Sequence, residues 1–141
     1  LLHEFNVQSV DYLIVGAHAL AAHGHVRGTK DLDIWVRPDS ANADRVLVAL
    51  TNFGASLQDL TEEDLSRAGT VFQIGVPPFR VDVLTAIDGV SFDQAWEDRM
   101  KTDFGGEPAP VISLRHLIQN KRASGRLQDL ADVEKLQEQR K

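Results

Sequence analysis

The 141-residue sequence contains no cysteine, which excludes disulfides, a cysteine nucleophile and thiolate metal sites. Any bound metal is then held by oxygen or imidazole, a donor set that favours hard cations such as Mg²⁺. Long apolar runs are missing as well. No stretch of about 18 residues is suited to span a bilayer, and no basic segment leads into an apolar one with a small-residue cleavage site. These absences lead to the expectation of a soluble, cytoplasmic protein with no membrane partner. Net positive charge is also lacking. A formal charge of −6 argues against broad binding to DNA, which needs a dominant basic surface to displace phosphate counterions.

What is present fits one domain over residues 1–141, with 43% hydrophobic residues to supply a core. Charge is unevenly spread. Residues 115–141 hold seven Lys/Arg against four Asp/Glu, leaving eight against seventeen elsewhere. A basic C-terminal segment beside an acidic body suits an anionic substrate, and a solvated helix surface is the plainer alternative.

Residues 11–15 read as a buried strand that stops at Gly16, followed at once by an alanine-rich helix from Ala17 to His23 that ends at Gly24. Residues 29–36 alternate polar and apolar, as a strand with one buried face does. Ser40 is placed to cap a helix running to about Phe53, closed by Gly54. After a weakly patterned polar stretch, Thr70 to Ile74 and Phe79 to Leu84 suggest an antiparallel pair joined across Gly75 and Pro77-Pro78. Ser91 caps a short helix taken to carry Ala95, Trp96 and Met100, and Gly105-Gly106 marks a turn. Pro108 and Pro110 restrict any strand there to a sheet edge. Ser113 caps a helix that breaks near Gly125, and a last helix carries Leu127, Leu130, Val133 and Leu136 along one stripe. The order implies an α+β domain with a mixed β-sheet flanked by helices: a core over about 1–112 and C-terminal helices over 113–141. The chain starts without methionine and close to its first strand, so an N-terminal helix is expected to be missing from it.

Asp31 and Asp33 carry the sharpest chemical signal. Alternate strand residues share a face, so the two carboxylates lie about 7 Å apart and converge on shared cations. Side by side and partly buried they repel one another, a cost that a divalent ion between them removes. Asp82, inside the apolar run Phe79 to Leu84, is a natural third carboxylate, with pairing to Arg80 or exposure to water as the alternative. Three such acids suit a metal site that clamps the oxygens of a displacement at phosphorus. The Gly16-Ala17 turn offers free helical amides to a phosphate, and otherwise serves as a packing turn. His18, His23 and His25 are less suited to such hard-cation chemistry. Trp35 and Trp96 read as core or interface residues.

A strand ending in Gly16-Ala17, a short helix to Gly24, and the run Arg27-Gly28-Thr29-Lys30-Asp31-Leu32-Asp33 together resemble the nucleotidyltransferase superfamily motif. The likeness is greatest to small bacterial nucleotidyltransferase-like proteins related to AbiEii toxins of toxin–antitoxin systems. Their C-terminal pattern is matched by Lys121 and by Arg126-Leu127-Gln128-Asp129-Leu130-Ala131-Asp132. The resemblance runs from about Tyr12 to Leu136. It implies a nucleotidyltransferase-type fold and transfer of a nucleoside monophosphate from an NTP, ATP foremost, to a hydroxyl with release of pyrophosphate. It further implies that Asp31 and Asp33 ligate Mg²⁺ or Mn²⁺ and that Asp82 binds metal or acts as general base. Gly16 and Ala17 would cradle the triphosphate, with Arg27, Thr29 and Lys121 as further nucleotide contacts. The acceptor would be a small molecule, a protein side chain or an RNA end, and a cognate antitoxin is a further implied partner. Two positions depart from the pattern: Ala17 replaces a second Gly or Ser, and Gln128 stands where lysine is usual. A catalytically silent, partner-dependent nucleotide-binding module is the alternative. A metal-dependent glycosyltransferase also uses Asp-x-Asp but needs a longer nucleotide-sugar domain.

Overall fold

The computed structural model describes residues 1–24, 31–76 and 79–139. Its centre is a six-stranded mixed sheet. The inner strand β1 (Tyr12–Val15) is buried at all four residues, which is why its sequence is apolar without alternation. Antiparallel to β1 lies β2 (Leu32–Val36), and parallel to β2 lies β4 (Phe79–Leu84), with β3 (Val71–Val76) antiparallel to β4 at one edge. On the other side β6 (Glu107–Val111) runs parallel to β1 and carries β5 (Met100–Phe104) as the opposite edge, giving the order β3-β4-β2-β1-β6-β5.

The helices are α1 (Leu2–Val7), α2 (Gly16–Ala22), α3 (Ser40–Phe53), α4 (Glu62–Ser66), α5 (Phe92–Glu97), α6 (Leu114–Ser124) and α7 (Leu127–Gln139). None is long and apolar enough to cross a membrane. A helix therefore does precede β1. Too short to declare a period, α1 is held by tertiary contacts: Phe5 is fully buried, its ring 5.4 Å from that of Tyr12.

Several local expectations shift. The cap of α3 is Asp39, whose carboxylate accepts from Asn42 N at 2.7 Å, one residue before the expected Ser40. The weakly patterned stretch holds α4, opened by a Thr61–Asp64 capping box. The helix capped by Ser91 stops at Glu97, and Met100 opens β5 instead of continuing it. Asp31 precedes β2, which begins at Leu32.

The prolines of β6 do not make it an edge. In a strand the N and C=O of one residue point the same way, and Pro108 O accepts from Asn6 Nδ2 at 2.8 Å, so its missing donor faces α1. The ladder to β1 is made at Val111, beyond both prolines. In α7 the anticipated stripe is rotated. Leu127 is 87% exposed and Leu130 is exposed too, while Asp129, Asp132, Val133 and Leu136 face inward. Two paired aspartates have displaced two leucines from the buried face.

One polar residue ties the frame that carries the site. Asn42 is fully buried, accepts from Asp11 N at 2.8 Å, and donates to Asp11 O at 3.1 Å and Arg37 O at 3.0 Å. It fixes the start of β1 against the end of β2, satisfying backbone groups that would otherwise be buried without partners.

Candidate active site

The strand register assembles the acids. Asp33 on β2 pairs with Val15 of β1 on one side and with Asp82 of β4 on the other. Because β2 and β4 are parallel neighbours, two carboxylates far apart in the chain stand side by side on one face. Asp31, one step back, falls next to Arg80, two residues before Asp82. Toward the far end of β2 the same face is closed by Trp35, 2% exposed, whose ring meets Phe92 of α5 at 5.0 Å. The acids thus sit where the apolar cover of the sheet ends.

Gly16 follows Val15 and opens α2 with φ +70°, a left-handed conformation that glycine adopts freely. A Cβ at this position would fall on Asp33 Oδ2. The turn can therefore approach the carboxylate only because it lacks a side chain. No side chain caps the start of α2, so its first amide groups are left to other partners.

Burial, then the neighbouring Asp82 and Asp31 charges, push the Asp33 carboxyl up from 3.8 to about 6, against the opposing pull of Arg80 and Lys121. Arg80 is a cation among the acids. Its Nη2 lies 3.3 Å from Asp82 Oδ2 and 3.5 Å from Asp31 Oδ2, and its Nε is 3.1 Å from Asp82 Oδ1. That last approach is not aligned as a hydrogen bond, so buried Asp82 Oδ1 and Arg80 Nε both lack a hydrogen-bond partner. With Arg80 among them, no three Asp, Glu or His side chains of the described residues are arranged to enclose a metal ion. The donor set nevertheless suits one: all-oxygen, carrying more negative than positive charge, and with Asp82 Oδ1 unsatisfied.

Gly16 and Asp33 line a cleft of about 240 Å³ together with apolar Leu84 and Ile87, acidic Asp88 and Asp129, and the cations Lys121 and Arg126. The C-terminal helices thus bring cations into the cleft that Asp33 lines. Lys121 is 6% exposed, and its Nζ donates to Asp129 Oδ1 at 3.2 Å and Asp132 Oδ2 at 3.1 Å. Burial pushes the Asp129 carboxyl up, but hydrogen bonds from Ser124, Arg126 and Lys121 outweigh it and hold the group below the usual range. Gln128 donates to Asp132 Oδ1 at 3.2 Å. The C-terminal motif is therefore a latch between α6 and α7 that also lines the cleft. The arginine of that motif, Arg126, keeps 80% of its side chain exposed while holding Asp129 at 2.7 Å.

Of the remaining candidates, Ala17 sits in the first turn of α2. Arg27, Thr29 and His25 lie outside the described residues. His23 Nε2 is bonded to Ile112 O at 2.9 Å, and the His18 ring packs edge-on against Phe104. Arg80 went unassigned in the sequence as anything but a partner for Asp82. Its reach to Asp31 depends on the β2–β4 register, which no local pattern encodes.

No protein-family model and no curated relative matches the chain. Solved structures do. A Thermotoga maritima protein, TM1012, with a provisional nucleotidyltransferase designation is 14% identical with a TM-score of 0.64, over 98% of this chain and 88% of that one. The lincosamide antibiotic adenylyltransferase LnuA, solved with lincomycin bound, gives 14% and 0.58 over 96% and 91%. An antigenic nucleotidyltransferase-like protein from Paracoccidioides brasiliensis gives 14% and 0.55 over 96% and 71%. At this identity the likeness establishes the fold: the mixed sheet with its flanking helices is of nucleotidyltransferase type.

Proposed function

We propose that the chain transfers a nucleoside monophosphate from an NTP, ATP foremost, to a hydroxyl acceptor and releases pyrophosphate. The observation that carries this reading is the pairing of Asp33 with Asp82 on adjacent parallel strands, beneath a glycine turn that tolerates no side chain against Asp33.

Asp31 and Asp33 would hold Mg²⁺ or Mn²⁺, with Asp82 as a further ligand or as the base. The ion, when bound, offsets the charge of the triphosphate and of the carboxylates. In the step itself the acceptor oxygen bonds to the α-phosphorus as the bond to the pyrophosphate oxygen breaks. The hydroxyl proton passes to Asp82, whose Oδ1 is ion-paired with Arg80 but accepts no hydrogen bond. Gly16 admits phosphate oxygens close to the backbone, and the amide of Ala17 contributes to their binding. Leu84 and Ile87 supply an apolar wall against which a base or acceptor can lie. Lys121 contributes positive potential to the cleft, and exposed Arg126 is better placed to touch phosphate directly. Arg27 and Thr29 are further nucleotide contacts on the strength of the motif alone, as is a place near the AbiEii-related proteins with a cognate antitoxin as partner.

Incubation with Mg²⁺, each α-labelled NTP and a cell extract is expected to label an acceptor. Asp33→Asn and Asp82→Asn should each reduce labelling by at least about a hundredfold, the scale of lost acid–base or metal assistance. Equal labelling by wild type and both variants, or none with any of the four nucleotides, would overturn the proposal. In the second case, Mg²⁺-dependent nucleotide binding would identify a silent binding module instead.

A further inference from the structure

We propose that Arg80 is a built-in counter-cation that competes with the divalent ion for Asp31 and Asp82, so that metal loads only as the guanidinium leaves. The inference rests on the metal-binding reading of the three acids and adds a residue to it.

Asp33 and Asp82 share one sheet face, Asp31 stands just before it, and the Arg80 guanidinium reaches Asp31 and Asp82 at once. The arrangement follows from the register. With Leu32 opposite Val81 and Asp33 opposite Asp82, the preceding residues of the two segments, Asp31 and Arg80, come together. Without Arg80 the acids would repel one another across a partly buried face, so the ion-free fold has reason to keep it there. The same guanidinium obstructs an ion. A divalent cation on Asp31 and Asp82 would lie within a few ångströms of Arg80 and repel it. The contact is also poorly made: Arg80 Nε and Asp82 Oδ1 are buried 3.1 Å apart without a hydrogen bond, so each stands to gain a better partner on separating. Arg80 keeps 31% of its side chain exposed, which gives the guanidinium a way out. Once displaced, it is a free cation beside the place where the triphosphate arrives. Metal and nucleotide binding are then coupled, because the nucleotide offers the guanidinium a second anion.

The test is Mn²⁺ binding without nucleotide, by electron paramagnetic resonance and calorimetry, on wild type, Arg80→Gln, Arg80→Lys and Asp33→Asn. Arg80→Gln is expected to bind Mn²⁺ about tenfold more tightly than wild type, the scale of one charge-assisted hydrogen bond. Arg80→Lys should fall between them, and Asp33→Asn should bind weakest. Should Arg80→Gln fail to fold, wild type decides alone. In its ¹⁵N-arginine spectrum, the Nε–H resonance absent from Arg80→Lys should move on titration with Mg²⁺. A wild type that binds Mn²⁺ through Asp33, with Arg80→Gln no tighter or the resonance unmoved, overturns this inference and leaves the metal site standing. Absence of Mn²⁺ binding in wild type and Arg80→Gln alike overturns both.

Discussion

A methyl group added at residue 16 would land on Asp33 Oδ2, at a backbone φ of +70°. Gly16→Ala is therefore expected to cost about 1–3 kcal/mol, from strain and from displacing the carboxylate. Thermal melts check the stability, and Mn²⁺ affinity, which should fall with it, checks the site. Asp33 itself makes a second prediction, stated for protein in EDTA. Its carboxyl is raised from 3.8 to about 6 in the fold. Below about pH 4 it is protonated whether folded or not; between 4 and 6 only the folded chain keeps the proton. Stability from this group is thus full at low pH, is lost as pH rises through about 6, and is flat above. Asp33→Asn removes that loss and should be more stable than wild type at pH 7 by on the order of 2 kcal/mol, at about 1.4 kcal/mol per pKa unit. Urea melts from pH 4 to 8 would refute this if the two curves ran parallel. Asp33 and Asp82 were legible in the sequence because each is flanked by apolar neighbours, which fixes its face, and Asp31 lies two residues before Asp33 on the same alternation. Arg80 was not, since its position beside Asp31 depends on pairing between strands nearly fifty residues apart.

Among the elements, α6 and α7 are joined by the buried Lys121 with Asp129 and Asp132. Lys121→Met would remove the cation that Asp129 and Asp132 share and leave Arg126 on Asp129, a loss of about 1–3 kcal/mol that lowers Tm by on the order of 5 °C. The same change at exposed Lys135 should leave Tm within about 2 °C. Similar losses at both positions would remove the latch from the account. Helices and strands were readable where a cap and a period coincide, as at Ser113 and Gly125 around α6. They were obscured where tertiary contacts override local pattern: in α1, six residues held by Phe5; in α7, where the ion pair turns Asp129 and Asp132 inward and leaves Leu127 in water; and in β6, where Pro108 is tolerated because α1 rather than a strand faces it.

Across the molecule, the sheet order places β2 between β1 and β4, so the glycine turn after β1 and the acid of β4 meet at Asp33 from opposite sides. The C-terminal helices return over this point, so that Lys121 and Arg126 line one cleft together with Gly16 and Asp33. The site thus sets Asp33 beside a cleft whose two cations, Lys121 and Arg126, are tied to Asp129, with Arg126 largely exposed and open to an anion carried with a divalent ion. The central claim is that this site binds nucleotide through metal, and calorimetry with a non-hydrolysable α,β-methylene ATP analogue, with Mg²⁺ and then with EDTA, tests it most directly. The account predicts binding that needs Mg²⁺ and weakens at least about tenfold, or 1.4 kcal/mol, in both Asp33→Asn and Asp82→Asn. Binding of equal strength in EDTA, or unchanged in both variants, would contradict it.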